Sequence, residues 1–140
     1  MRVLLLEPGD EALLCHAEGL FNEAPSRERA AMLLREPTFV MAVALSDDGE
    51  VMSRIYGHVL HRHDTTDLLL YEVDTAEAHK RKGAASAIVA FLKQLATERG
   101  YGEIWVPTEV ENDEGNGFYR GIGGMLEGSP ANIYVFPIGE

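Results

Sequence analysis

The chain has 140 residues, 46% of them hydrophobic and 25% charged, as is typical of one globular domain that buries its own core. Its formal net charge of −11 argues against nucleic acid as a partner, and either favours a small cationic partner or serves solubility alone. No apolar run has the length of a membrane span, and residues 3–6 form too short a run for a signal peptide. We therefore expect a single domain over residues 1–140, in the cytoplasm and with no membrane partner.

The first part of the chain predicts a strand, two helices and a hairpin. Residues that break helices or form turns separate these segments, namely Pro8-Gly9, Pro25 and Pro37. The hairpin turn is the acidic segment of residues 47–50. In chain order, we expect a strand over residues 2–7, helices over 10–22 and 25–36, and strands over 38–45 and 51–61.

The middle of the chain changes character twice. Residues 68–75 form a β-prone run, and residues 76–82 form a polar loop that ends at Gly83. From Ala84 the apolar residues recur at steps of three and four, which is the spacing of a helix. This stretch predicts a strand, a cationic loop and a helix in succession.

Such a junction is a candidate site for an anion. The first N–H groups of a helix have no intrahelical partner and carry the positive end of its dipole, so they attract a phosphate. Lys80, Arg81 and Lys82 surround this point, and Gly83 lets the backbone approach a ligand closely. The loop has neither the G-x-x-x-x-G-K-[ST] nor the G-x-G-x-x-G spacing, which disfavours ATP and dinucleotides. An ordinary basic loop between a strand and a helix stays open as the alternative.

The last part of the chain predicts a strand, a short helix and a closing hairpin. Pro107 lies inside the apolar run of residues 103–108, so this strand should bend or leave the sheet near its end. Gly115 and Gly117 should keep the following helix short or frayed, since each glycine costs about 1 kcal/mol relative to alanine. We expect the last two strands near residues 124–127 and 132–138, joined through residues 128–130.

Three histidines and an aspartate near the first hairpin raise the question of a metal: His58, His61, His63 and Asp64. His61 and His63 would share one face of an extended segment. Their spacing matches no closed zinc set, and the end of a hairpin is a natural place for solvated histidines. We therefore predict no metal.

Two stretches resemble the signatures of the GNAT acetyltransferases. Residues 80–85 resemble the Q/R-x-x-G-x-G/A motif that binds the pyrophosphate of acetyl-CoA, with Lys80 in place of Gln or Arg. Residues 112–124 resemble the N-x-x-A-x-x-[FLY]-Y-x-x-x-G-F signature, with Gly115 and Gly124 in place of Ala and Phe. The resemblance implies the α/β (α+β) GNAT fold, a mixed and mostly antiparallel sheet of six to seven strands, splayed between strands 4 and 5 and flanked by about four helices.

The resemblance also implies a site for acetyl-CoA as the co-substrate. The backbone N–H of Val73, at a bulge in the fourth strand, should face the acetyl carbonyl, and the amides of residues 81–85 should hold the phosphates. Tyr119 occupies the family position that protonates the leaving thiolate, which a group with a pKa of about 10 does at modest cost. Its alternative role is that of a helix aromatic packed on the sheet. The cofactor-binding residues expected are Val73, Lys80, Arg81, Lys82, Gly83, Ala84, Ala85, Ser86 and Asn112.

Two carboxylates on the central strand are candidates for contacting the acceptor amine. Glu72 and Asp74 lie two residues apart, hence on one face, ahead of the cationic loop. An aliphatic amine is mostly protonated at neutral pH, so a carboxylate must take its proton directly or through water. Either carboxylate can instead be merely solvated. The catalytic residues expected are Tyr119, Glu72 and Asp74.

Residues 70–74 and 78–87 narrow the resemblance. They are similar to the Y-D-L-x-V…H-R-R-x-G-I-A-[ST]-A run of the aminoglycoside 3-N-acetyltransferases of the GNAT type. Glu72 stands in place of Asp at the position that contacts the antibiotic amine in those enzymes. The resemblance covers roughly residues 68–124, so the first third of the chain contributes nothing to it.

The function implied is transfer of an acetyl group from acetyl-CoA to a primary amine. The resemblance favours an aminoglycoside-like polyamine acetylated at a 3-amino group, and hence a role in antibiotic resistance. Another small amine, a protein N-terminus or a lysine stays open as the acceptor, as does a module of another class that binds CoA without turnover. A homodimer is also implied, because the C-terminal strands of such small domains often pair across subunits.

Overall fold

A computed structural model describes residues 1–128 and 130–139 of the protein. The chain divides into two units, Met1–Pro107 and Thr108–Glu140. The interpretation of residues 1–140 as one domain stays a prediction. None of the helices formed by the described residues has the length and apolarity needed to cross a membrane.

The first unit is built on one five-stranded sheet whose spatial order follows the order of the chain. Neighbours from the first strand to the fourth are antiparallel, and the fourth and fifth are parallel. The predicted mixed and mostly antiparallel sheet is therefore confirmed, with five strands among the described residues instead of six to seven. The strands are β1 (Arg2–Leu5), β2 (Phe39–Leu45), β3 (Val51–His61), β4 (Thr66–Thr75) and β5 (Ile104–Trp105).

The predicted helices form close to their expected bounds. Ser26 begins the second helix by accepting a hydrogen bond from the backbone N–H of Arg29 at 3.0 Å, and Gly100 ends the third with a φ of +74°. The fourth helix, in the second unit, has nine residues and is short, as its two internal glycines predict. The helices are α1 (Glu11–Phe21), α2 (Arg27–Arg35), α3 (Ala84–Arg99) and α4 (Asp113–Gly121), and a 3₁₀ turn spans Glu77–His79.

Strand β2 is buried on both faces, which explains why its sequence is a continuous apolar run. Val40 and Ala42 belong to the core between the sheet and α3, together with Ile88. Met41 and Val43 belong to the core on the opposite face, where α1 and α2 pack. The sheet therefore has α3 on one side and the first two helices on the other.

A bulge in β4 determines which side chains face α1. Tyr56 lies opposite Glu72 but Gly57 lies opposite Leu70, so Tyr71 is an extra residue in the strand. Before the bulge, Leu70 packs into the core under α3, and after it Val73 packs against that same core. Residues 72 and 74 consequently point to the opposite face, beneath α1.

The close approach of the two strands at this bulge requires glycine at position 57. A Cβ atom on Gly57 would overlap the backbone carbonyl of Leu69. Backbone cannot move aside as the end of a flexible side chain can, so no other residue fits here without separating the strands.

Strand β5 is shorter than predicted, since the expected run of residues 103–108 contributes only Ile104–Trp105. Its pairs with β4 are Leu68 with Ile104 and Leu69 with Trp105, and the pairing goes no further in the described sheet. Pro107 has no N–H to donate, which is the expected reason for an early end. The predicted separation of the fourth and fifth strands thus begins after two residue pairs.

The buried Asp67 fastens this short strand to β4. Its carboxylate accepts hydrogen bonds from the backbone N–H of Glu103 and from the indole N–H of Trp105, both at 3.0 Å. Arg62 completes the set with an ion pair at 3.1 Å. The fully buried carboxylate of Asp67 is stable here because two hydrogen bonds and one ion pair replace its contacts with water.

The prediction of two closing strands at residues 124–127 and 132–138 is wrong, since the described residues there form no strand. The expected turn of residues 128–130 includes Ser129, which lies outside the described residues. The apolar side chains of this segment are 77% to 98% exposed, and within the described chain they have no neighbouring strand to bury them. Alternating β-prone residues form a strand only where a partner supplies hydrogen bonds and covers one face.

Replacing Gly57 by alanine should destabilise the protein by about 1–3 kcal/mol, because the added methyl overlaps backbone at the bulge. Chemical denaturation measures this difference. Gly117→Ala is the matched control, since that glycine lies in α4 with open space around it, and the change should be neutral or stabilising by up to about 1 kcal/mol. Equal stability of both variants would show that the strands do not approach so closely.

Candidate functional site

A cavity of about 410 Å³ lies between the sheet and the first two helices. Leu14 and Leu33 contribute from α1 and α2, and Met41 from the sheet, so part of the wall is apolar. Polar and aromatic groups complete it: Glu18, Glu23, Arg29, Phe39, Tyr56, His58 and Tyr71. Such a mixture of apolar wall and a few polar groups is characteristic of small-molecule sites.

Four rings form a continuous aromatic row along this cavity. The centroids of Phe39 and Tyr56 are 5.8 Å apart, and Tyr56 lies 5.8 Å from Tyr71. His58 extends the row, with its ring 5.6 Å from that of Phe39. Tyr71, the bulged residue of β4, is 66% exposed and so presents a ring to any molecule in the cavity.

A buried guanidinium joins three carboxylates beside the cavity. Arg54 of β3 is 0% exposed, and its Nε lies 2.5 Å from Oε2 of Glu18 on α1. Its Nη2 lies 3.3 Å from Glu72 and 3.1 Å from Asp74, both on β4. The guanidinium also lies over the ring of Phe21, 5.0 Å from the centroid. One cation therefore links a helix and two strands.

Glu72 is held ionised by its neighbours. Its carboxylate accepts hydrogen bonds from Asn22 at 2.9 Å and from the hydroxyl of Tyr56 at 2.8 Å. Burial raises the pKa of Glu72, but the hydrogen bonds from Asn22 and Tyr56 and the charge of Arg54 outweigh burial, so its pKa lies below the ordinary value. At neutral pH this group is a fixed negative charge.

The pKa values of two neighbours of Glu72, Glu18 and Tyr56, are raised instead of lowered. Burial raises the pKa of Glu18 above its ordinary value, although Arg54 and Asn22 oppose the change. Burial also raises the pKa of Tyr56, with the hydrogen bond to Glu72 adding to it. Tyr56 therefore stays protonated and acts as a hydrogen-bond donor throughout the physiological range.

The structure brings Glu72 and Asp74 together, as their spacing on the strand predicts, but places Glu72 in a network that sequence reasoning missed. Glu18, Asn22, Arg54 and Tyr56 are the additional members. A signal for one of them existed, because Arg54 is a charged residue inside an apolar strand and a buried arginine requires carboxylate partners. The contributions from α1 had no such signal.

The cationic loop has two residues in the left-handed region of backbone conformation. Arg81 and Gly83 both have positive φ angles, +64° and +79°. No side chain caps the first turn of α3, which begins at Ala84. Lys80 lies 3.3 Å from Glu77, and Lys82 is exposed. Ala85 and Ser86 complete this first turn.

Val73 lies on the same strand as the carboxylates, two residues after the bulge and opposite Ile55 of β3. Since β5 pairs only with residues 68 and 69, no strand of the described sheet covers the other edge of β4 beside Val73. An extended ligand can therefore run along this edge and pair with the backbone.

Tyr119 and Asn112 belong to the second unit. The ring of Tyr119 packs edge-on against Phe118, with centroids 5.3 Å apart. Asn112 begins α4: its Oδ1 accepts from the N–H of Gly115 at 3.0 Å and its Nδ2 donates to Thr108 at 2.9 Å. The predicted roles of both residues toward acetyl-CoA stay predictions.

The hairpin histidines contact ordinary neighbours. His61 lies 3.1 Å from the hydroxyl of Thr66, and His63 lies 3.7 Å from Asp64. Within residues 1–128 and 130–139, no three His, Cys, Asp or Glu side chains are grouped so that they can hold a metal ion.

Comparison with solved structures supports the fold. The chain is similar to an aminoglycoside acetyltransferase, meta-AAC0020, from an uncultured soil metagenomic sample and in complex with sisomicin, with 20% identity, a TM-score of 0.86 and coverage of 97% of this chain and 95% of that one. It is also similar to the aminoglycoside acetyltransferase HMB0005 from such a sample, with 26% identity, a TM-score of 0.77 and coverage of 96% and 98%. A third similar structure is AAC(6')-Iy in complex with the bisubstrate analogue CoA-S-monomethyl-acetylneamine, with 14% identity, a TM-score of 0.82 and coverage of 98% of both chains.

A search of the curated proteins found no match. The sequence profile of the acetyltransferase (GNAT) family matches residues 9–123, which include α1, strands β2 to β5, the cationic loop and α4. The family resemblance drawn from residues 80–85 and 112–124 is thereby confirmed, and with it the predicted fold and enzyme class. The chain belongs to the acetyltransferase (GNAT) family.

Proposed function

We propose that the protein is an acetyl-CoA-dependent N-acetyltransferase that acetylates a primary amine of a small cationic, aminoglycoside-like acceptor. The observation that carries this proposal is the cavity beside the sheet, where aromatic rings adjoin a cluster of three carboxylates. Carboxylates attract ammonium groups, and ring faces pack against the C–H groups of a sugar or cyclitol. The 3-amino group is the predicted position of acetylation and the cytoplasm the predicted compartment.

The cationic loop is the proposed site for acetyl-CoA, which, when bound, supplies the acetyl group as a thioester. The positive φ angles of Arg81 and Gly83, the first turn of α3 without a side-chain cap, and the adjacent Lys80 and Lys82 support N–H groups of residues 81–85 as the pyrophosphate site. The uncovered edge of β4 at Val73 is the proposed place for the extended arm of the ligand and for an N–H that polarises the acetyl carbonyl. The backbone therefore does most of the work of orienting this substrate.

The two strand carboxylates divide the work on the acceptor. Glu72 has a lowered pKa and already accepts hydrogen bonds from Asn22 and Tyr56, so it suits holding an ammonium group more than receiving a proton. Asp74 is more exposed, with 44% of its side chain accessible, and we assign it the proton, taken directly or through water. The neutral nitrogen then forms its bond to the acetyl carbon, and the carbon–sulfur bond breaks as Tyr119 donates a proton to the sulfur. The nitrogen loses its second proton as the amide forms, and that proton, passed through water, restores the Tyr119 hydroxyl.

Three alternatives give different outcomes in one assay. The acceptor can be another small amine, or a protein N-terminus or lysine, with the same chemistry at the same carboxylates. A non-catalytic module would bind CoA through the loop and release no thiol. A cavity with Glu18 and Glu23 in its wall supports a small amine acceptor over a protein acceptor.

Thiol release from acetyl-CoA should be observed with aminoglycosides, and both Glu72→Gln and Tyr119→Phe should lower kcat/KM by about 100-fold or more. Loss of the Glu72 charge weakens ammonium binding, whereas loss of the Tyr119 hydroxyl removes the proton donor. Glu98→Gln is the matched control, because that exposed glutamate of α3 only accepts a hydrogen bond from Gln94. The regiochemistry of the product, determined by NMR, decides between the 3-amino group and other positions.

Two outcomes of this assay would contradict the proposal. If peptides are acetylated but no aminoglycoside or polyamine is, the proposed acceptor is wrong and the proposed acetyl-transfer reaction is retained. Tight CoA binding with no thiol release from any amine would favour the non-catalytic module.

Gly83→Ala should weaken CoA binding by about tenfold, equivalent to about 1.4 kcal/mol. Alanine disfavours a φ of +79°, so the loop will shift and turn its N–H groups away from the phosphates. Isothermal titration calorimetry measures the affinity. Gly9→Ala imposes a comparable strain at a φ of +109° in the turn before α1, and it should lower stability without changing the affinity for CoA. Equal effects of the two variants on affinity would argue against the loop as the phosphate site.

We also propose that the protein is a homodimer whose subunits cover each other's C-terminal segment. The support is the exposure of the apolar side chains there, including Ile133 at 83%, Val135 at 78% and Phe136 at 85%. Exposed runs of this size are rare on monomers and are typical of interfaces. A second chain would supply the partner strand that the segment lacks.

Sedimentation velocity should therefore detect a dimer at micromolar concentration, and Val135→Asp combined with Phe136→Asp should shift it to monomer, because charges would be buried without partners. Met32→Asp is the control, since Met32 is a partly exposed apolar residue on α2. A monomer in the unmodified protein at all concentrations would refute the dimer.

A further inference from the structure

The position of Arg54 is unusual for a charged residue. Its side chain is fully buried, while the carboxylates of Glu18, Glu72 and Asp74 are 13%, 30% and 44% exposed. Burial of a guanidinium is costly, and a buried ion cluster is often no more stabilising than apolar residues of the same volume. A contribution to stability alone therefore does not explain an arginine in this position.

The geometry instead suits the orientation of neighbouring groups. The planar guanidinium contacts the rings of Phe21 and Tyr56, with its carbon 5.0 Å and 5.2 Å from their centroids. Two of its nitrogens contact three carboxylates on two different elements, α1 and β4. A planar guanidinium presents its donors in a rigid fork, so the ring contacts and the ion pairs together restrict where these carboxylates lie.

We propose that Arg54 is a positioning residue of the acceptor site, which holds the carboxylates of Glu72 and Asp74 in place and ties α1 to β4 so that the acceptor ammonium enters a preformed site. This inference rests on the proposed function. Arg54 acts through the carboxylates and not on the acceptor, because none of its surface is accessible from the cavity.

The charge balance gives the proposal a physical consequence. Three carboxylates and one guanidinium leave a formal charge of −2 beside the cavity, which a diamine or polyamine neutralises. Without Arg54 the carboxylates would repel one another, and the pKa of Glu72 would lose one of the interactions that lower it. The site would then hold the ammonium less tightly.

The other groups that face Glu72 do not replace this charge. Asn22 at the end of α1 and the hydroxyl of Tyr56 on β3 donate hydrogen bonds but are neutral. The remaining titratable and charged groups around the cluster and cavity are Glu18, Glu23, Arg29, His58, Tyr71 and Asp74. Arg29 lies on α2, and none of the described ion pairs joins it to the three carboxylates.

The sign of the pH effect follows from the lowered pKa of Glu72. The ionised form dominates above its folded-state pKa, so activity that depends on this charge is lost as the pH falls through that value. Removing Arg54 takes away one of the interactions that lower the pKa, so the same loss should occur at a higher pH.

The test compares the pH profile of kcat/KM for the unmodified protein with Arg54→Met and Arg54→Lys. We expect Arg54→Met to move the acid limb to higher pH and to raise the KM for the amine, with about a 100-fold loss of kcat/KM on the acid side. Arg54→Lys retains the charge but not the planar geometry, so the acid limb should stay close to its original position while KM remains raised.

Arg62→Met is the matched control. Arg62 also pairs with a buried carboxylate, Asp67, and lies 5.2 Å from the centroid of an aromatic ring, that of Trp105, but it is absent from the cavity wall. Arg62→Met should lower the stability of the protein without moving the acid limb of the kcat/KM profile. If Arg54→Met behaves in the same way, its role is structural and the proposal is wrong.

A second readout separates this proposal from the proposed function. In protein labelled with ¹³C at the glutamate carboxyls, the signal of Glu72, assigned by its loss in Glu72→Gln, should titrate at higher pH in Arg54→Met. This shift is measurable even if no amine is acetylated, in which case the proposed function fails and the effect on Glu72 is still decided. An unshifted titration overturns the proposal.

A variant that does not fold leaves the proposal testable. If Arg54→Met is unfolded, Arg54→Lys is sufficient, because an unchanged KM for the amine in that variant contradicts a need for the planar guanidinium.

Discussion

One extra residue in β4 decides the chemistry of two faces of the sheet. Strand side chains alternate, so without the bulge at Tyr71 the residues that follow would lie on the opposite faces. Glu72 would then point into the apolar core under α3, where an ionised carboxylate is not tolerated. Gly57 allows the bulge because its missing Cβ leaves room for the carbonyl of Leu69. The position of Glu72 in the carboxylate cluster beside the cavity therefore depends on a backbone irregularity.

Within the buried ion cluster, the pKa values of two glutamates shift in opposite directions. Glu18 and Glu72 are both glutamates beside Arg54, yet burial raises the pKa of the first while hydrogen bonds and charge lower that of the second. The difference arises from the number of donors, because Glu72 accepts from Asn22 and Tyr56 on separate oxygens in addition to pairing with Arg54. One guanidinium cannot stabilise all of its carboxylate partners equally, so the hydrogen bonds from other donors decide in which direction the pKa of Glu18 and that of Glu72 shift.

The parts of the structure that sequence predicts are those set by local periodicity. Such patterns extend over a few residues: the apolar run of β2, the helical spacing of α3, and the glycine that precedes α3. Both elements formed where these patterns predict them. The partners of Glu72 come from α1 and β3, across distances in sequence that no local pattern records. The prediction of the closing strands is wrong for the same reason. The β-prone sequence of residues 132–138 does not indicate whether a partner strand is available.

The two proposed substrates carry opposite charges, an ammonium group on the acceptor and phosphates on acetyl-CoA. One continuous stretch of chain has a negative region and a positive region that match them. The carboxylates of Glu72 and Asp74 lie near the end of β4, and Lys80, Arg81 and Lys82 follow within ten residues. An amine acceptor and a phosphate-bearing donor would each be repelled by the region that attracts the other, so each can bind productively in one orientation only. With a net charge of −11 over the whole chain, the cationic loop is a local exception. A phosphate ligand therefore has to be held at short range, by backbone N–H groups and adjacent lysines, since the long-range field of the protein opposes its approach.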